Sequence, residues 1–508
     1  MLDHMSSSAL VDGGVGDLTR VLERFVEEDP ATGLEIVRAL GDRAGSYGLN
    51  AVAARLAAAA DTEIALELEV DGMVGRARSA QRAFERWSDW RVDELLSGLS
   101  EALTDSAEDL AIATVQETGR GNVIDKTLKN RFASRTIFES LEGEAAQGIL
   151  SVDAIRKISE LASPVGVVFA VVPLTSPVAT AIFKTLIALK TRNGLILSFP
   201  RRARGVAHLY STIVRGVLCS HSVPPDLIQW SRPGERKLAA KLMRHPLVSM
   251  LMVTGGTGLV DAAYSSGTPA IGVGPGNAPA WICEDADVDT TAAAILMSKT
   301  FDNGMICGAE HNLVVDANID AAFTQALMRQ GACILTPDEA ETFGRRAIDP
   351  LSNALRSELI GQSAADLAVR FGIQRSYPVR LLIVRGRNRD VNGPYGGEKL
   401  APVLSLFTVT SPEDALTLCA NLLHREGAGH TAIIHTTSRA RVDRFAHAMP
   451  ASRILVNSPG AQGCCGMTTG LPPSMMLGCG TLGGNSTTEN VTYRQLLNIK
   501  RVAYHCAP

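Results

Sequence analysis

The chain is poor in cysteine: nine in 508 residues. A disulfide scaffold needs a far denser supply. The count is odd, no Cys-x-x-Cys pair occurs, and a bridge between the adjacent Cys464 and Cys465 would be strained. A reducing, cytoplasmic compartment is expected. Zinc-ligand spacing is missing too, so no metal is expected. An excess of one charge sign is also lacking. Lys and Arg number 49 against 53 Asp and Glu, for a formal net charge of −4, which gives nucleic acid or an anionic membrane no electrostatic footprint. No apolar run reaches the roughly 18 residues that span a bilayer; the longest, Val165 to Val172, stops at Pro173. The N-terminus lacks the basic-then-apolar order of a secretory signal, and Met1-Leu-Asp-His-Met5 reads as a cloning remnant.

The length suits two or three domains. Residues 1–72 read as an N-terminal extension. Within residues 17–26, Leu18, Val21, Leu22 and Phe25 fall on one helical stripe. That helix either packs on its own domain or docks on another protein. From Val74 to Glu142 the pattern is helical, with Ala80, Phe84 and Trp87 on one face and Phe84, Trp87 and Trp90 as aromatic anchors. The character then changes. Pro164-Val-Gly-Val-Val-Phe-Ala-Val-Val-Pro173 is a strand buried on both faces. Ser176-Pro177 forms an N-cap and first-turn pair ahead of a buried helix, Val178 to Leu189. Strands follow at Leu195–Phe199, Leu227–Trp230 and Leu247–Val253, separated by helices whose stripes include Val206, Leu209, Ile213 and Val217. Strand alternating with helix predicts an α/β fold with a parallel sheet. The last strand runs into Thr254-Gly255-Gly256-Thr257-Gly258. This reads either as a phosphate-binding helix N-terminus or as a tight turn, because it is not the G-x-G-x-x-G fingerprint.

The segment that carries chemistry is Ser298-Lys-Thr-Phe-Asp-Asn-Gly-Met-Ile-Cys307-Gly308, just before another strand. Glycines at 304 and 308 leave the thiol open. By spacing alone Cys307 is either structural or a nucleophile, and a nucleophile needs a lowered pKa or a base.

Phe301-Asp-Asn-Gly-Met-Ile-Cys307 resembles the nucleophile segment of CoA-acylating aldehyde dehydrogenases. These include the aldehyde dehydrogenase half of bifunctional aldehyde-alcohol dehydrogenases and the propionaldehyde and acetaldehyde dehydrogenases of bacterial microcompartments. Further matches are Ala181-Ile-Phe-Lys-Thr-Leu-Ile-Ala-Leu-Lys-Thr-Arg-Asn193, the run from Ala262 to Asn277, Glu398-Lys-Leu-Ala-Pro402, Gly429-His-Thr431 and Leu477-Gly-Cys-Gly-Thr-Leu-Gly-Gly-Asn-Ser486. The resemblance covers Val74 to Val502.

It implies a Rossmann-type cofactor domain over 73–285, an α/β catalytic domain over 286–450 and a C-terminal segment, 451–508, with an oligomerisation arm. It implies oxidation of a small aliphatic aldehyde by NAD, with NADP as the alternative, through a Cys307 thioester that coenzyme A collects. Thr254, Gly255, Gly256, Gly258, Arg202 and Glu398 would meet the cofactor. Gly272 would take the place of the glutamate base found in hydrolytic members, which favours thiolysis. The family has asparagine where Ser176 stands, so Ser176 is either the oxyanion donor or only a helix cap. Beside it the Cys307 N–H would be the second oxyanion donor. His430 is either a general base or a structural loop residue, and Glu398 either a ribose ligand or a surface residue. The expected partners are aldehyde, CoA and further copies of the chain. The docking peptides of microcompartment cargo also suggest a shell protein as partner of residues 17–26. The alternatives are a non-acylating dehydrogenase that releases the acid and an inactive scaffold relative.

Overall fold

The computed structural model describes residues 15–40, 49–386 and 390–506. The chain divides into two compact units, Met1–Gly75 and Arg76–Pro508. Gly13 and Gly14, and the whole of Met1 to Met5, lie outside the described residues.

The described residues of the first unit are helical. Leu22 on the helix Val15–Glu28 is fully buried with Val37, Leu49, Val52 and Leu56, and Leu18 and Phe25 pack beside them. Three of the four stripe residues, Leu18, Leu22 and Phe25, thus pack within their own unit. Val21, placed on the stripe by spacing, is instead 47% exposed.

The second unit holds three sheets. β1 (Gly148–Asp153) and β2 (Ile158–Pro164) pair antiparallel. β3 (Val167–Val171), β4 (Gly194–Ser198), β5 (Ile228–Trp230), β6 (Val248–Thr254) and β7 (Ala270–Val273) form a parallel sheet of order β5-β4-β3-β6-β7. β8 (Ala278–Ile282), β9 (Glu310–Asp316), β10 (Ala332–Ile334), β11 (Leu381–Arg385), β12 (Val403–Val409), β13 (Gly429–His435) and β14 (Ala451–Val456) form a second parallel sheet, ordered β10-β11-β12-β9-β8-β13-β14. Its strands extend past both the 286 and 450 limits read from sequence. β15 (Leu497–Ala503) returns to pair antiparallel with β2.

The continuous apolar run of β3 leaves no residue of that strand exposed, and β4 is the same. The helix Pro177–Lys190 is buried along its whole length. In the first parallel sheet the chain moves from β3 to β4 and β5 on one side, then crosses back to β6 and β7 on the other. The order thus reverses between β3 and β6, where doubly wound sheets open a crevice at the carboxyl ends of their strands. Lys184 pins that point: its buried Nζ donates to the Val171 carbonyl at 2.6 Å and the Met252 carbonyl at 3.0 Å. Burial holds this ammonium well below its ordinary pKa. Two sequence assignments shift. Trp90, read as a core anchor, is 66% exposed. The helix Arg204–Ser220 buries Tyr210, Val214 and Leu218, one residue beyond the stripe read at Leu209, Ile213 and Val217, which are partly buried.

Phe169 lies fully buried at the middle of β3. Phe169→Ala should cost about 3–5 kcal/mol, read as a lowered urea midpoint at unchanged slope. An unchanged midpoint would contradict this packing.

Candidate active site

A cleft of about 840 Å³ opens at the carboxyl ends of the first parallel sheet, a volume suited to a small-molecule ligand. Val171, Ser198, Thr254 and Val273, which end β3, β4, β6 and β7, line one side. Cys307, from the loop that enters β9, and His430, the second residue of β13, line the other together with Glu398.

The cleft brings together Cys307, Ser176, His430, Thr254, Gly255, Gly256, Gly258 and Glu398. It leaves out Gly272 and Arg202. A Cβ on Gly272 would stand 2.8 Å from Val260 Cγ1 and 2.9 Å from the Tyr264 ring, so this position faces the helix Thr257–Tyr264. Side chains alternate along a strand, and it is the next residue, Val273, that faces the cleft. Arg202 lies on a short 3₁₀ turn, donates to the Thr118 carbonyl at 3.2 Å and is not among the residues lining the cleft.

At the centre, His430 Nε2 lies 3.1 Å from Cys307 Sγ, and His430 Nδ1 lies 2.9 Å from Thr431 Oγ1. The Arg453 Nε–H donates to the same Thr431 oxygen at 3.4 Å. Burial, and then the Arg453 cation, hold the imidazole well below its ordinary pKa, so it rests neutral. Burial pushes the Cys307 thiol up, helped by the neighbouring Cys465 and Glu398. The resting pair is a thiol beside a neutral base, suited to proton transfer during attack. Burial also raises the Glu398 carboxyl to about 7, while its Oε1 accepts from the Gly276 N–H at 2.8 Å. Gly276 has to be glycine: a Cβ there would stand 1.8 Å from the Cys307 carbonyl oxygen. The glycines beside Cys307 likewise make room for Ala401 and Cys464 rather than exposing the thiol.

Ser176 occupies the N-cap position of the helix Pro177–Lys190 but makes no capping bond. Its Oγ accepts from Lys129 Nζ at 2.7 Å instead. The cap reading is therefore corrected. Sequence reasoning also missed Lys129, Asp302 and Arg453. Their one available signal was the Lys126–Lys129 spacing of three, which puts both ammonium groups on one helical face.

The cleft fits a dinucleotide. Thr254 Oγ1 is buried with no partner among the described residues. Gly256 and Gly258 leave open space where a Cβ would stand, at the N-terminus of the helix Thr257–Tyr264. Backbone N–H groups and the helix dipole favour a phosphate there. Among the described residues no cluster of His, Cys, Asp or Glu offers a metal site, and no helix is long and apolar enough to cross a membrane.

Parallel sheets meeting at a thiol–imidazole pair, beside a phosphate-ready helix end, define an α/β protein of thiol-nucleophile type with a nucleotide cleft. The chain belongs to the aldehyde dehydrogenase family, whose model matches residues 55–345. It is 38% identical over 440 residues to the bifunctional aldehyde-alcohol dehydrogenase of Escherichia coli K12, covering 86% of this chain and 49% of that protein. The chain thus spans about half the length of the first curated relatives it matches. It is 35% identical over 443 residues to the acylating sulfoacetaldehyde dehydrogenase of Cupriavidus necator, covering 85% of this chain and 88% of that one. An acetylating aldehyde dehydrogenase of Geobacillus thermoglucosidasius superposes with a TM-score of 0.85 at 35% identity, over 88% of this chain and 98% of that structure.

His430→Ala should slow alkylation of Cys307 by iodoacetamide at pH 7 by about 100-fold. Because burial raises the thiol pKa, the residual rate should climb about tenfold per pH unit. The parent rate should stay flat from pH 6 to 8, since its base is already neutral there. A variant that alkylates like the parent would remove His430 from the role of base.

Proposed function

We propose that the protein is a CoA-acylating aldehyde dehydrogenase: aldehyde, CoA and NAD give acyl-CoA, NADH and a proton, reversibly. The observation that carries this reading is the 3.1 Å contact between Cys307 Sγ and His430 Nε2 inside a cleft that fits a dinucleotide. It also speaks against an inactive scaffold.

Cys307 Sγ attacks the aldehyde carbon, and its proton passes to His430 Nε2. The tautomer for this step carries its other proton on Nδ1, donated to Thr431. The oxygen that gains charge meets two donors, the Ser176 hydroxyl and the Cys307 backbone N–H. A bound nicotinamide supplies the hydride acceptor, which leaves a thioester on Cys307. His430 gives up the proton it took to solvent, the CoA thiol adds to the thioester carbon, and the imidazole, neutral again, takes the CoA proton. Collapse breaks the bond to Sγ and frees acyl-CoA, and the proton on His430 Nε2 passes back to the Cys307 thiolate, which leaves one proton released per turnover.

Gly272 offers no carboxylate at the place where hydrolytic relatives carry their base. Glu398 is the group that supports the second reading, release of the free acid. Its carboxyl, held near 7, stands in the same cleft and is able to activate water. The first reading assigns Glu398 to the ribose hydroxyls instead. Supporting NAD over NADP, Glu235 lines the end of the cleft beside Phe199 and Pro200, where a carboxylate suits a ribose 2′-hydroxyl. Met305, Ile306, Met475 and Leu477 give the cleft apolar walls. Arg236 is the one lysine or arginine among its described lining residues, which favours a small uncharged aliphatic aldehyde over a sulfonated one. Self-association completes the proposal, since among the described residues β14 and β15 are sheet edges with one side unpaired. Docking of residues 17–26 on a microcompartment shell is not part of it, because Leu22 and Phe25 are committed to their own unit.

NADH formation from a panel of two- to four-carbon aldehydes, read with and without CoA, tests the reading. CoA should be required for sustained turnover. Without it, one acyl group per chain should accumulate on Cys307 by mass spectrometry, and Cys307→Ala should abolish both signals. An equal rate without CoA would establish the acid-releasing alternative. Glu398→Gln should raise the KM for NAD several-fold while CoA dependence persists; loss of a CoA-independent rate in that variant would assign Glu398 to water activation.

A further inference from the structure

Two buried lysines converge on one carboxylate beside the cleft. The helix Val123–Arg131 turns Lys126 and Lys129 inward, and both are almost fully buried. Lys126 Nζ lies 3.0 Å from Asp302 Oδ2 and 3.1 Å from the Thr175 carbonyl oxygen. Lys129 Nζ pairs with the same Asp302 oxygen. The other Asp302 oxygen accepts from the Asn122 N–H at 3.2 Å. One carboxylate thus faces two ammonium groups at a site with no exposure. Burying such charges costs solvation free energy, and Lys126 alone would already pair with Asp302. The second lysine adds the 2.7 Å bond to Ser176 Oγ, which lines the cleft with Cys307.

That bond fixes the direction of the hydroxyl. A serine oxygen that accepts from an ammonium keeps its own proton to donate. Among the described residues that proton has no acceptor, and the capping bond is not made. An ammonium behind the oxygen also polarises the O–H into a stronger donor. We propose that Lys129 is a positioning residue: it holds the Ser176 hydroxyl with its proton turned into the cleft and, through it, stabilises the oxyanion formed on the carbon bound to Cys307. The proposal rests on the thioester reading of Cys307.

The test is a double-mutant cycle on the full chain. Ser176→Ala and Lys129→Gln should each lower kcat about 100-fold, the scale of losing one oxyanion donor, with little change in the KM for aldehyde. Lys129→Gln should keep the parental thermal midpoint and parental alkylation of Cys307, since Lys126 still pairs with Asp302. The double variant should be no slower than Ser176→Ala within about threefold. Multiplied losses in the double variant would overturn the proposal, because Lys129 would then act without Ser176. In a Ser176→Asn background, whose amide donates unaided, Lys129→Gln should cost less than about threefold; an undiminished loss there would also overturn it. If Lys129→Gln does not fold, Lys129→Arg keeps a charged donor and should stay within about tenfold of the parent. A folded Lys129→Arg with normal alkylation and a 100-fold loss would overturn the proposal. Turnover retained by Cys307→Ala would instead sink the thioester reading. Lys129→Gln at the parental kcat beside an inert Cys307→Ala would sink this proposal alone.

Discussion

The contact between the Cys307 sulfur and the His430 imidazole sets the demands on everything around it. Burial makes the thiol hold its proton tightly and the imidazole refuse a second one. Neither group is useful alone. Held at 3.1 Å, they form a pair suited to passing a proton as a new bond forms to sulfur, as the proposed reaction requires. The strands β9 and β13, on either side of β8 in the second sheet, keep the partners from drifting apart.

Around the pair, the buried charges are held by short polar contacts. Arg453 reaches Thr431, the Gly478 carbonyl at 2.6 Å and the Thr488 carbonyl at 3.2 Å, so its guanidinium is fixed at the back of His430. Asp302 answers Lys126 and Lys129 and adopts a left-handed backbone, φ 48°. Backbone strain of this kind persists where the surroundings over-determine the conformation. Here they do: the Asp302 N–H donates to Asp125 at 2.8 Å while its carboxylate receives two ammonium groups.

Much of the architecture was legible because β3, β4 and the helix Pro177–Lys190 are apolar all round, and such segments have no stable place except the interior. Cys307 was legible through the length and order of the matching segments; spacing by itself left it undecided. Other parts were hidden for definite reasons. The one-residue offset between Gly272 and Val273 depends on strand parity, which glycine does not advertise because it has no side chain to place. Arg202, read as a cofactor contact, lies on a 3₁₀ turn beyond β4 and bonds the Thr118 carbonyl, a long-range partner that local sequence does not reveal. Trp90 looked like core by residue type, yet it sits just inside the start of the helix Asp89–Asp105 and faces solvent. Lys126 and Lys129 resemble any solvated pair on a polar helix; their burial is decided by Asp302, 173 residues beyond Lys129. Ser176 matched the preference of a helix cap, and only the lysine beside it shows the hydroxyl otherwise employed.

Gly276 lies on the short crossover from β7 to β8, where the chain leaves one sheet for the other. The Cys307 carbonyl rests against its Cα, Glu398 takes its N–H, and the next residue, Asn277, ties down the Gly396 and Leu422 carbonyls at 2.9 and 3.0 Å. For an engineer widening the acceptor range of the protein, this divides the cleft into tolerant and intolerant ground. Met475 and Leu477 are side-chain walls that a library is free to reshape. The crossover is structural floor shared by both sheets, and a single added methyl there would be felt at the sulfur before it was felt by any ligand.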